Sequence, residues 1–155
     1  MKRPGYLREF LDFWTPRPEI RKVWFSMFTP QVGDQLPEML TPGERALAIS
    51  ELTELRRCYR KLDMPEGMIR QFATPPASPN ECVFAQTTRT LSADLTTKIT
   101  PCQFGGNPDC GSCGCIASMG LAAVAAHRIG GIIPVAGIFR SSIRLGQWSR
   151  GRGTP

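Results

Sequence analysis

The chain has 155 residues, 41% of them hydrophobic, and a formal net charge of +6. That composition supports one ordinary core and excludes a disordered or fibrous chain. The charge is lopsided: residues 1–115 hold 14 Lys/Arg against 13 Asp/Glu, whereas residues 116–155 hold five arginines, Arg128, Arg140, Arg144, Arg150 and Arg152, and no acid.

In chain order, the amino-terminal stretch MKRPGYLREFLDFWTPRPE has no apolar run of signal-peptide length, because Arg8, Glu9 and Asp12 interrupt it. The expectation is a cytoplasmic protein whose thiols stay reduced. KVWFSMF at 22–28 is a short apolar run of aromatic and branched residues closed by Thr29-Pro30, as in a buried strand covered on both faces.

TPGERALAISELTELRRCYRKL follows, with Thr41 placed to cap, Pro42 at the first helical position and Glu44 placed to complete a capping box. Ala48, Leu52, Leu55, Tyr59 and Leu62 then recur at steps of four and three, the stripe of an amphipathic helix. Cys58 borders that stripe and is expected as a core thiol. MIRQF at 68–72 suits a further strand, giving the order helix, strand, helix, strand, an α/β arrangement with parallel pairing.

ATPPASPN at 73–80 is a proline-rich break, and the domain boundary is placed there, at 79/80. Beyond it, CVFAQTTRTLSADLTTKITPC reads as short strand pairs, with Val83-Phe84, Thr88 to Leu91 and Lys98 to Thr100 extended and Ser92-Ala93-Asp94 turning. The return leg brings Cys102 back towards Cys82. The apolar stretch at 116–139 is interrupted by His127-Arg128, Gly130-Gly131 and Pro134, which suits a helix, a turn and a strand and not a membrane span. The basic tail carries no pattern for nucleic-acid binding and reads as a solvated end.

CQFGGNPDCGSCGC at 102–115 concentrates four of the six cysteines. Cys110-Gly111-Ser112-Cys113 is a two-spacer knuckle, and Gly114 lets the chain double back so that Cys115 joins it. Gly105, Gly106 and Gly111 are expected to free backbone N–H groups to point at sulfur. A thiolate-only site means zinc or an iron–sulfur cluster. A single knuckle, with the other cysteines crowded in one loop before an apolar helix, favours iron–sulfur and leaves zinc open. With one histidine, multi-histidine sites are excluded, His127 reads as a surface or core residue, and no catalytic residue or nucleotide loop stands out.

VWFSMFTPQ, KLDMPEGMI, CVFAQTTRTLSADLTTKITPCQFGG and NPDCGSCGCIAS together resemble the carboxy-terminal part of radical S-adenosylmethionine (radical SAM) enzymes with a SPASM/twitch-type auxiliary domain. The resemblance implies that residues 1–79 are the last β/α units of a partial barrel and residues 80–155 a small hairpin-plus-helix iron–sulfur domain with a basic tail. It implies an auxiliary [4Fe-4S] cluster on Cys82, Cys102, Cys110, Cys113 and Cys115, five candidates for four iron positions, serving electron transfer or substrate anchoring. The turn at SADLTTK lacks the family's usual glycine, and the spacing after Cys102 is tighter. No C-x3-C-x2-C occurs, so SAM binding and cleavage would need a second polypeptide carrying the front of the barrel. The alternative is a non-enzymatic structural zinc module in a basic interaction domain.

Overall fold

An extended run, residues 22–32, threads the middle of the molecule, and the helices gather around it; the computed structural model describes residues 3–150. Side chains alternate along this run. Val23, Phe25 and Met27 are buried, whereas Trp24 and Phe28 are 56% and 40% exposed. The expected covering on both faces is therefore corrected: the period is that of a strand, but only one face meets the core.

At its start the run pairs in parallel with the segment after the long helix, Val23 N–H donating to the Lys61 carbonyl at 2.7 Å and Asp63 N–H to the Val23 carbonyl at 3.1 Å. At its far end it lies antiparallel to the cysteine loop through a bridge between Gln31 and Pro108.

Helix α1 (Tyr6–Trp14), not foreseen as a pattern, buries Leu7 and Leu11 one turn apart. Its Phe10 ring meets Phe25 edge-on with centroids 5.4 Å apart. Helix α2 (Pro42–Cys58) forms where expected but ends before Tyr59 and Leu62, the last two residues of the expected stripe: Tyr59 is its extended C-cap and Leu62 pairs in parallel with Val23. The Thr41 hydroxyl accepts from Glu44 N–H at 3.2 Å and Thr41 N–H donates to the Glu44 carboxylate at 2.7 Å, the reciprocal capping box. Ala48, Leu52 and Leu55 are buried on its inner face. Cys58 is exposed, not a core thiol, because it lies beside the stripe, whose last buried residue on this helix is Leu55.

The expected strand at 68–72 is a helix, α3 (Glu66–Gln71). Its buried residues, Ile69 and Phe72, are three apart, a helical spacing that alternation does not accommodate. Arg70 reaches back four residues to Glu66 at 2.8 Å. Val83-Phe84 is likewise not extended but opens a short helix, α4 (Val83–Thr87), where Thr87 and Thr88 hydroxyls donate to carbonyls four residues back.

The hairpin does form. β1 (Thr90–Leu91) pairs antiparallel with β2 (Lys98–Ile99). Its turn is held by the Asp94 carboxylate, which accepts from Thr96 and Thr97 N–H, both at 2.8 Å, and from the Ser92 and Thr97 hydroxyls. Those bonds hold the carboxyl well below the usual range. Leu95 takes the left-handed conformation, φ 60°, at the turn where the family's usual glycine is missing.

Helix α5 (Ile116–Ala126) packs on α3 and α4. The helix and the turn expected over 116–139 are present, but only two residues of strand follow. β3 (Arg128–Ile129) and β4 (Ile133–Pro134) form a hairpin, and helix α6 (Val135–Arg150) begins at once. Among the described residues no helix is long and apolar enough to cross a membrane. β-structure among those residues is confined to the two hairpins and the bridges of the extended run. The core is continuous across the 79/80 boundary: Leu7, Phe25, Leu52 and Phe72 share it with Cys113, Cys115 and Met119.

Leu52→Ala should lower the unfolding free energy by about 2–5 kcal/mol in urea titrations, because a fully buried side chain leaves a cavity. Leu47→Ala, on the exposed side of the same helix, should stay within about 0.5 kcal/mol of the parent. Equal costs at the two positions would mean that the buried stripe of α2 is misplaced.

Candidate metal centre

Two stretches distant in sequence supply the site. Cys82 stands at the N-cap of α4, and Cys102 follows β2. Cys110 opens a single 3-10 turn (Cys110–Ser112) that Asp109 caps, its carboxylate accepting from Ser112 N–H at 3.3 Å. Cys113 ends that turn and Cys115 caps α5.

The fold brings all five to one hollow, with an empty volume of about 370 Å³ including its mouth. Cys82, Cys113 and Cys115 are buried, and Cys102 and Cys110 are half-buried. Pro76, Pro79, Phe84, Phe104 and Pro108 close its sides, and no charged side chain lines it. None of the six cysteines is in a disulfide, and Cys58 lies elsewhere, on α2.

The sulfurs are served by specific donors. The Gln103 side-chain amide reaches Cys115 Sγ at 3.0 Å, Ser118 N–H reaches the same sulfur at 3.4 Å, and Cys115 N–H reaches Cys113 Sγ at 3.5 Å. Cys82 Sγ and Ser118 Oγ share a hydrogen at 3.0 Å. Thr29 Oγ1 accepts from Gly114 N–H at 2.9 Å and turns its proton towards Cys113 Sγ, 3.9 Å away. Thr29 and Ser118 are the buried polar residues of the described chain, and both serve this site.

Glycine N–H groups were the expected donors to sulfur; those seen come from Cys115 and Ser118 instead. Gly114 has a different role. A Cβ there would lie 2.2 Å from the Met27 carbonyl oxygen, and Met27 N–H donates to the Gly114 carbonyl at 2.9 Å, so two backbones cross in contact.

Arg45, in the first turns of α2, carries no sequence signal for this site. Its half-buried guanidinium donates to the carbonyls of Phe72 at 3.0 Å, Cys113 at 3.1 Å and Ser112, tying the long helix to the cysteine loop. Burial pulls its pKa down and the neighbouring Cys113 and Asp109 push it back, and the group stays charged.

Burial also pushes the Cys110, Cys113 and Cys115 thiols up, and each is raised further by neighbouring cysteines. For Cys113 the Cys115 N–H and the Thr29 hydroxyl work the other way, and for Cys115 the Ser118 N–H does. Without a positive charge in the hollow these three cysteines stay protonated thiols, and a bound cation would favour their deprotonation.

Among the described residues no three His, Cys, Asp or Glu side chains form a group for a metal ion. Four thiolates on one zinc sit within about 4 Å of each other, since each Zn–S bond is about 2.3 Å. Here all five thiols line one hollow, and four of them could serve either a zinc ion or an iron–sulfur cluster.

A scan against protein-family models, a search of curated proteins and a search of solved structures each return no match to this chain.

Gly114→Ala should cost at least about 2 kcal/mol of stability in urea unfolding, because the added methyl meets backbone that has no room to yield. Gly111→Ala, where the new atom meets only the Asp109 carboxylate at 3.4 Å, should change stability by no more than about 0.5 kcal/mol. A neutral Gly114→Ala would show that the two segments do not cross in contact.

Proposed function

We propose that the chain is the back part of a radical SAM enzyme, an α/β protein of the cytoplasm, and that its five-cysteine hollow holds an auxiliary [4Fe-4S] cluster. The observation that carries this reading is the convergence of Cys82 with Cys102, Cys110, Cys113 and Cys115 on one uncharged hollow, from two stretches separated by a hairpin. Bound there, the cluster would supply one-electron transfer to a substrate radical or an open iron for substrate.

The chain's own residues would hold it with four of the five thiolates. Gln103, Ser118 and the Cys115 N–H stabilise the negative sulfurs, and the proline and phenylalanine walls limit water. The segment at 1–79 would supply one β/α unit of the barrel, the run at 22–28 with α2 and its parallel return at Leu62, since 66–71 is a helix. These 155 residues contain no C-x3-C-x2-C, so SAM and the cluster that cleaves it would be held outside them.

Anaerobically prepared protein should be brown, with roughly four irons and four acid-labile sulfides per chain. Cys113→Ala should lose most of that iron, while Cys58→Ala, on the exposed side of α2, should keep all of it. By itself the protein should cleave no SAM under reducing conditions. A colourless preparation with one tightly held zinc would replace this reading with that of a structural zinc module.

A further inference from the structure

The extended run 22–28 has two backbone edges and uses one. On the used edge Val23 bonds through both its groups to the 61–63 segment, Phe25 N–H meets the Met64 sulfur at 3.3 Å, and Met27 N–H meets the Gly114 carbonyl at 2.9 Å. The N–H and C=O groups of Trp24, Ser26 and Phe28 point the other way. None of these six has a hydrogen-bond partner among the described residues, although Trp24 and Ser26 side chains do. Three donors and three acceptors in alternating register form the template that an added strand completes.

A groove runs beside this edge, with about 1010 Å³ of empty space including its mouth. Ser26 and Phe28 line it together with Tyr6 and Phe10 of α1 and with Pro37 and Glu38, whereas Trp24 lies outside it. A strand lies about 4.8 Å from its neighbour and needs a slot of this kind, apolar where alternate side chains enter. A second copy of the chain would bring its own α1 and its own Pro37–Glu38 wall to the same edge, whereas a bare strand brings neither.

We propose that the Trp24–Ser26–Phe28 edge is a docking site for a β-strand from a second polypeptide, with apolar residues at alternate positions. The inference rests on the backbone alone, whichever metal the cysteines hold, and it assigns the edge at which such a polypeptide joins. Main-chain pairing supplies the attachment, and Phe28, Phe10 and Tyr6 select the side chains that enter the groove.

The test uses the full chain and a blocked synthetic peptide of alternating valine and threonine with a lysine at each end. Amide hydrogen exchange should be fast at Trp24, Ser26 and Phe28 in the chain alone and slow at Val23 and Met27. Saturating peptide should slow the three edge amides by about tenfold or more. Ser26→Pro removes one edge donor and puts a ring where the strand would sit; the Ser26 N–H has no internal partner, and the loss inside the chain is the Oγ that accepts from Ile116 N–H at 3.4 Å. It should abolish the effect while Val23 and Met27 stay protected. A peptide N-methylated on the amides facing the edge should fail on the unaltered chain, a control independent of how Ser26→Pro folds. Protection of the three amides before peptide is added, protection that grows with the chain's own concentration, equal protection by the N-methylated peptide, or none by the parent peptide would each overturn the proposal.

Discussion

The contact between Met27 and Gly114 is the constraint from which the rest of the arrangement follows. Two backbones approach so closely that no side chain fits at 114, and one hydrogen bond of 2.9 Å locks them. Cys113 and Cys115 flank that crossing. Once it is set, Asp109 N–H meets the Pro30 carbonyl and Val32 N–H the Asn107 carbonyl, both at 2.8 Å, so the cysteine loop is laid along the extended run as a strand would be. The loop thus draws its shape from a segment more than 70 residues earlier together with its own glycines, Gly105 and Gly106 in the left-handed region and Gly114 at the crossing.

That dependence explains why polar groups sit where burial would otherwise be costly. A buried hydroxyl or amide is tolerated when it has a partner. Thr29 satisfies the Gly114 N–H at the crossing, Ser118 meets Cys82, and Arg45 answers three carbonyls at the point where α2, the end of α3 and the cysteine loop come together. No buried side-chain nitrogen or oxygen among the described residues is left without a partner. The sulfurs are the exception in kind, since thiols are weak partners for one another and gain most from a cation.

The long helix was legible to its capping residues because Thr41, Pro42 and Glu44 act locally and the stripe from Ala48 to Leu55 repeats over several turns. The β1–β2 hairpin was legible for a similar reason: the signal for the turn lies within it. MIRQF and Val83-Phe84 were misread because five residues or fewer carry either period equally well, and packing on α5 decides between them. Spacing groups Cys102, Cys110, Cys113 and Cys115, the hairpin turns Cys102 back towards Cys82, and only the resemblance put all five at one centre. Thr29, Arg45 and Gln103 were not, since their roles arise from contacts across 12 to 84 positions that no local pattern encodes.

Cys113 and Cys115 belong to the same buried cluster as Leu52, Phe72 and Met119, so the site is not an appendage to the core but one side of it. A ligand that pulls those two sulfurs acts directly on the Met27 crossing and on the first turn of α5, whose cap is Cys115 itself. Binding energy at the hollow is then folding energy for the extended run. The run's two edges have different neighbours: one is anchored through Met27 to the cysteine loop, and the other presents Trp24, Ser26 and Phe28 outward. A group held in the hollow and a strand docked at the outer edge, each bound as proposed, would therefore act on a single stretch of backbone.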